Sequence, residues 1–255
     1  MSSVSTSGSS AGSGSGSGSG KAGRPRASAQ TPNPTLSSRE QILDAAAALF
    51  SETGFSGTST RAIADRVGIR QQSLYYHFAG KDEILAELLS GSVRPSIDFV
   101  QQVEARIPHD ITPAGALFAL ASVDARTLRQ TPHNIGTLYL LPEIQEPRYD
   151  AFRAEREQLR ASYGRLGAAA AHPDVAATMS EERIGDVLIQ LAELVIRLRR
   201  DGGAVAGSSA DASDDDSTIA ASCLRVLGLS TAQIAAAREE ADAVTALEPL
   251  SAATR

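Results

Sequence analysis

Two short amphipathic segments joined by a tight turn constrain this chain more than any other feature. The segments are TSTRAIADRV, residues 58–67, and QQSLYYHF, residues 71–78, and the turn between them is Gly68-Ile69-Arg70. Thr58 is the expected N-cap of the first segment, and Gly68 its natural C-terminal cap. Ala62, Ile63 and Val67 form the inner face, with Ile69 as a core plug. Leu74 and Phe78, four residues apart, turn the back of the second segment inward. Gln71, Gln72, Ser73, Tyr76 and His77 are left on the outside.

The preceding stretch, SSREQILDAAAALF from Ser37, supplies what these helices pack against. Ile42, Leu43, Ala46, Leu49 and Phe50 have helical spacing on one face. Ser37 with Glu40, or Ser38 with Gln41, has capping-box spacing. Gly54 ends this helix, and Phe55 tucks back beneath it. After Ala79-Gly80, Lys81-Asp82 open a fourth helix. Further helices are predicted over about 82–106 (with a bend at Pro95), 113–130, 134–141, 147–171, 180–200, 214–227 and 230–246, punctuated by Pro, Gly or Asn. No convincing strand is visible. The fold class is all-α: an N-terminal three-helix helix-turn-helix domain over 37–82, then a larger helical ligand-binding and dimerisation domain over 83–255. Residues 201–213 are expected to form a flexible surface loop.

Residues 1–36 are low in complexity and bury too little apolar surface to order, so a disordered tail is expected. The tail matches two motifs by chance, GSSAG from Gly8 and GSGKAG from Gly18; both need a preceding strand that is absent. It has no apolar run of signal-peptide type, and no segment reaches membrane-spanning length. A soluble, cytoplasmic protein without membrane contact is expected.

The helix-turn-helix arrangement places its second helix in a DNA major groove. Gln pairs bidentately with adenine, and hydroxyl groups bond phosphate. The net charge of −6 taken as a sum argues against nucleic acid, but its distribution does not. Residues 1–81 carry eight basic against four acidic residues, a balance of +4; the remainder carries 16 against 26, a balance of −10. Residues 59–81 alone carry +3, from Arg61, Arg66, Arg70 and Lys81 against Asp65. Lys21, Arg24 and Arg26 of the tail could add loose phosphate contacts.

Three stretches together, REQILDAAAALFSETGF, TSTRAIADRVGI and QQSLYYHFAGKDEIL, resemble the tetracycline-repressor (TetR) family over about residues 38–90. The resemblance implies that Thr60 and Arg61 touch phosphate or an adjacent base. It implies that Gln71, Gln72, Ser73 and Tyr76 form the major-groove face, and that Tyr75, His77 and Lys81 contact phosphate. Arg70, in the turn, belongs to the same basic set. Read singly, Tyr75 and His77 could pack between helices, and Arg61 or Arg66 could be a solvated charge.

The family further implies a homodimer built from the last two major helices, here about 180–200 and 214–227. Leu188, Leu191, Val195 and Leu198 form an apolar stripe on the first, and Ile219, Leu224 and Leu227 on the second. Either stripe could instead face the intrachain core. A two-fold pair reads a palindromic operator in double-stranded DNA, with half-sites roughly 34–36 Å apart. The family also implies a small-molecule effector, with Phe99, Phe118, Leu138, Tyr139, Phe152 and Tyr163 as candidate pocket residues and Arg126 as polar anchor; ordinary core packing is the competing account.

No catalytic set, metal site or cofactor motif is visible. His109, His133 and His172 are scattered, and the single Cys223 reads as a packed core thiol. Asp214–Asp216 suits a helix N-terminus better than a cation site. The charged run EIQEPRYDAFRAEREQLR reads as a solvated helix face with i,i+4 pairs. The expectation is a DNA-binding repressor, not an enzyme. An activator or ligand-independent regulator with the same head, and a helical protein–protein adaptor, stand as alternatives.

Overall fold

The computed structural model describes residues 36–107, 109–201 and 209–247. The described residues are helical, with no strand: α1 (Ser38–Thr53), α2 (Thr60–Val67), α3 (Gln71–His77), α4 (Lys81–Glu104), α5 (Pro113–Gln130), α6 (Asp150–Ala170), α7 (Pro173–Ala176), α8 (Glu181–Ala192), α9 (Leu194–Asp201), α10 (Ser209–Val226) and α11 (Thr231–Leu247). The expected tail falls outside the described residues except at its last position, as do residues 202–208 of the expected loop; the rest of that loop's C-terminal half already belongs to α10.

Local chemistry explains the head. Both arms of the capping box form at Ser37: the Ser37 N–H donates to Glu40 Oε2 (2.7 Å), and the Glu40 N–H donates to Ser37 Oγ (3.3 Å). The N-cap of α2 is Ser59 rather than the expected Thr58, with Ser59 Oγ accepting from the Ala62 N–H. Thr58 is instead buried, and its hydroxyl donates to the Gly54 carbonyl at 2.8 Å. Gly68 ends α2 at φ 82°, in the left-handed region, so that the Gly68 and Ile69 N–H groups both reach back to the Ala64 carbonyl. Neither α2 nor α3 has the length to persist alone. Both are held by a core of Ile42, Ala46, Phe50, Phe55, Ile63, Val67, Leu74 and Phe78.

α4 links head and body. At 24 residues it spans about 36 Å, and it continues through Pro95, which removes only the bond to the Gly91 carbonyl. α5 lies at the centre of the body. Almost all its side chains from Gly115 to Ala125 are buried, as expected of a helix surrounded by neighbours. α4, α6, α10 and α11 enclose it.

α6 and α8 meet backbone to backbone. A Cβ on Gly185 would stand 2.6 Å from the Arg160 carbonyl oxygen, and one on Gly164 would stand 2.8 Å from that of Glu181. These two glycines permit the crossing. The charged run of α6 does not follow the expected i,i+4 pattern. Within the helix the pairs are at i,i+3, Arg153 with Asp150 and Arg160 with Glu157. Its arginines also reach other elements: Arg156 to Glu193 (2.7 Å), Arg160 to Asp186 (3.1 Å) and Arg165 to Glu104 (2.9 Å). Asp216 lies inside α10, which begins at Ser209, rather than at a helix N-terminus as expected for Asp214–Asp216. It is buried and takes Arg129 at 2.7 Å and Arg126 at 3.5 Å.

Other departures have local causes. Residues 132–140 form a 3-10 segment rather than an α-helix, because His133 (φ 57°) and Asn134 (φ 51°) both occupy the left-handed region. The helix expected over 180–200 is interrupted at Glu193. The short helix α7 and the 3-10 turns at 142–145 and 147–149 carry too few residues for a periodic signal.

A fully buried carboxylate joins three helices inside the body. Asp124 of α5 accepts from Ser96 Oγ of α4 (2.7 Å) and Tyr163 Oη of α6 (3.0 Å). Burial pushes its carboxyl up to about 6, against the lowering effect of these two bonds. The unfolded value is about 3.9, so folding favours the protonated form. That contribution is complete below about pH 4 and is lost as pH rises through about 6. Asp124→Asn should therefore remove on the order of 2–3 kcal/mol of stability loss between pH 4 and pH 7, read from urea midpoints across that range. Gly185→Val should cost about 1–3 kcal/mol by forcing α6 and α8 apart, seen as a melting temperature lower by several degrees.

Candidate nucleic-acid interface

α3 divides cleanly into an anchored back and an open front. Leu74 and Phe78 are buried at 0% and 1% exposure. Gln72, Ser73, Tyr75 and Tyr76 are exposed, with Tyr76 the most open at 87%. No acidic residue lies on this helix. A polar, acid-free surface rigidly backed by apolar side chains has the shape and chemistry to enter a groove.

A hydrogen-bonded network links the front of α3 to the start of α2. Gln71 Nε2 donates to Thr60 Oγ1 (2.9 Å) and lies 3.4 Å from Tyr75 Oη, and Thr60 Oγ1 and Tyr75 Oη are 3.2 Å apart. These three expected contact residues thus fix one another. Tyr76 and His77 stack edge to face at 5.3 Å, and His77 is half-buried.

The basic residues separate into free and engaged. Arg70 is exposed at the N-cap of α3 and makes no ion pair among the described residues. Arg61 is exposed, with a loose contact to Asp65 at 3.8 Å. Arg66 is turned away into a two-bond pair with Glu52 of α1, both bonds 2.8 Å, which holds the Glu52 carboxyl below its ordinary range. Lys81 departs most from its expected role in phosphate contact. Its Nζ donates inward to the carbonyls of Phe55 (2.8 Å) and Thr58 (3.0 Å) and lies 4.4 Å from the centre of the Phe55 ring. Two of its three donors close the loop before α2.

The body holds a cavity of about 590 Å³. The 132–140 segment contributes Gly136, Thr137, Tyr139 and Leu140; α6 contributes Arg156; the α8–α9 junction contributes Gln190, Glu193, Leu194, Ile196 and Arg197. Of the seven pocket candidates read from the sequence, Tyr139 alone lines it. Phe99, Phe118, Leu138, Phe152 and Tyr163 are packed into the core, and Arg126 pairs with Asp216. The polar lining was not anticipated, because its residues are scattered over three elements.

The same 132–140 segment touches the head. His133 Nε2 is 2.8 Å from Asp44 Oδ1 of α1, and Ser51 Oγ donates to the His133 carbonyl at 2.5 Å. On the opposite side Asn134 Nδ2 donates to the Ile196 carbonyl at 2.9 Å. The expected dimer stripes mostly face inward: Leu188, Val195, Ile219, Leu224 and Leu227 are buried within the chain. What α8 and α9 present outward keeps two residues of the expected stripe, half-buried Leu191 and exposed Leu198, beside half-buried Val187 and exposed Leu194. Cys223 is fully buried, and burial pushes its thiol up to about 12, as fits a packed core thiol. Among the described residues no group of His, Cys, Asp and Glu could hold a metal, and no helix is long and apolar enough to cross a membrane.

Comparison with known proteins agrees with this architecture. The family model described as bacterial regulatory proteins, tetR family, matches residues 42–88. The HTH-type transcriptional repressor KstR2 of Mycobacterium tuberculosis (strain ATCC 25618 / H37Rv) is 51% identical over 55 residues, which cover 22% of this chain and 28% of that repressor. That similarity is thus confined to little more than a quarter of the relative's length. The crystal structure of Mycobacterium smegmatis AmtR is 38% identical with a TM-score of 0.70, covering 84% of this chain and 98% of that one. The structure of KstR2 of Mycobacterium tuberculosis shares the fold at a TM-score of 0.62 and 22% identity, covering 78% of this chain and 98% of that one. With a matching head and this likeness along almost the whole length of a relative, the chain belongs to the TetR family of bacterial regulatory proteins.

Proposed function

We propose that this chain is a one-component transcriptional regulator, a repressor that binds a palindromic operator and is released by a small molecule. The open polar front of α3, braced by Leu74 and Phe78, carries this reading. Gln72 and Ser73 read base edges; Arg70 and Arg61 meet phosphate; Thr60, Gln71 and Tyr75 hold the two helices at a fixed angle. KstR2, whose head is half identical to this one, is named a transcriptional repressor.

A single seven-residue helix reads too few bases for useful specificity, so the working unit is a homodimer in the cytoplasm. The outward row Val187, Leu191, Leu194 and Leu198 is the apolar surface available for pairing on α8 and α9. The 132–140 segment serves as the strut between effector and DNA. It walls the cavity on one side and bonds α1 through His133 on the other. An effector that moves the strut shifts the population toward a head orientation that no longer fits adjacent grooves.

Selection of bound duplexes from a random library tests the DNA reading. It should return a two-fold symmetric site. Gln72→Ala should relax preference at one base position by about 1–3 kcal/mol, and Arg70→Ala should weaken all sequences evenly and lower the salt slope by about one. Retention of no duplex at low ionic strength would refute the proposal. For the strut, His133→Ala should raise amide exchange across residues 44–53 of α1 while leaving α5 protected; unchanged exchange in α1 would remove the strut's role.

A further inference from the structure

The cavity beside the strut has an unbalanced set of polar groups. Among the described residues Glu193 is its one carboxylate, and it is fully engaged. Its Oε1 accepts from Arg156 Nε (3.0 Å) and Nη2 (2.7 Å), and its Oε2 accepts from Arg156 Nη2 (2.8 Å) and Gln190 Nε2 (3.1 Å). Arg156 is left with Nη1 free of any hydrogen bond. Arg197 borders the same cavity, is exposed, and has no ion pair among the described residues. The described lining residues therefore carry a net positive charge, with spare donors and a single saturated carboxylate. The remaining walls are apolar: Leu140, Leu194, Ile196 and the Tyr139 ring. Leu140 is 84% exposed at the rim.

We infer that this cavity takes an amphipathic anion, a carboxylate-headed molecule with an apolar chain. The head meets Arg197 and the spare edge of Arg156, since a guanidinium matches a carboxylate in charge and in the spacing of its donors. The chain lies along Leu140, Leu194 and Ile196. A volume of about 590 Å³ lies within the ordinary range for small-molecule sites. A cationic ligand would find no carboxylate to spare among the described lining residues, and a neutral one would leave Arg197 unused. This inference rests on the effector-released reading for its consequence, release of DNA, and not for the binding event itself.

The test is calorimetric titration of the full chain with decanoate, decan-1-ol and decylamine. Decanoate should bind at least tenfold more tightly than either comparator. Arg197→Gln should weaken decanoate about tenfold and leave decan-1-ol unchanged. Because the chain has no tryptophan, Leu140→Trp supplies a single fluorophore at the rim, whose emission should shift with decanoate. Equal binding of acid and alcohol, absence of decanoate binding, an unchanged Arg197→Gln variant or an unresponsive rim fluorophore would each overturn the inference. The same samples are probed with the selected duplex. Retained duplex without decanoate binding defeats the anion site alone; decanoate binding without any duplex binding supports the anion site and defeats the regulator.

Discussion

The insertion of Leu74 and Phe78 into the core of the head is the contact on which the rest depends. A seven-residue helix cannot hold its own backbone against the cost of nucleation. It persists because its two apolar anchors are buried against α1, α2 and α4. The same burial fixes which residues remain outside. A register change of one residue would carry Ser73 and His77, or Tyr75, inward in place of the two anchors and destroy the polar front. Burial energy and recognition chemistry therefore come from opposite sides of one short helix.

Much of this was legible in the sequence because it rests on local rules. Gly68 announced the turn, Ser37 and Glu40 announced the start of α1, and the i,i+4 pair Leu74 and Phe78 announced which way α3 faces. The α5 boundaries follow directly from Thr112-Pro113 at one end and Thr131-Pro132 at the other. Long-range pairing was not legible. Lys81 resembles a phosphate contact in sequence, but in the fold two backbone carbonyls of the α1–α2 loop come within its reach. The inward burial of Leu188 depends on how α6 and α8 cross, which rests on Gly164 and Gly185, and that of Val195 on α9 meeting Ala125 and Leu128 of α5 and Ile219 of α10. Aromatic side chains fill cores as readily as pockets, and most of the candidates fill the core; the cavity is bounded by charged groups from distant segments.

Head and body share one continuous hydrophobic core. The head is therefore not a bead on a linker. Its orientation is set by α4 and by whatever bears on α1 from the side. Two neighbours do this. Arg39 of α1 pairs with Glu87 on α4 itself. His133 bears on α1 from the body. Of these, only the second reaches a cavity wall.

The strut is also where the chain stores backbone strain. His133 and Asn134 stand side by side in the left-handed region, at a cost on the order of 1–3 kcal/mol each. Such a conformation persists only when its surroundings over-determine it. Ser51 and Asp44 hold it from the head, and the Ile196 carbonyl holds it from α9. Gly136 lies so close to Ile196 that a Cβ there would stand 2.3 Å from Ile196 Cδ1. A segment held in an unfavourable conformation from both ends has a lower-energy alternative once either end lets go. A ligand that displaces Ile196 would loosen one end, and the bonds to α1 at the other end would then no longer be held in place. Among the described segments, this gives the strut the best physical basis for passing a change in the cavity to the face that meets DNA.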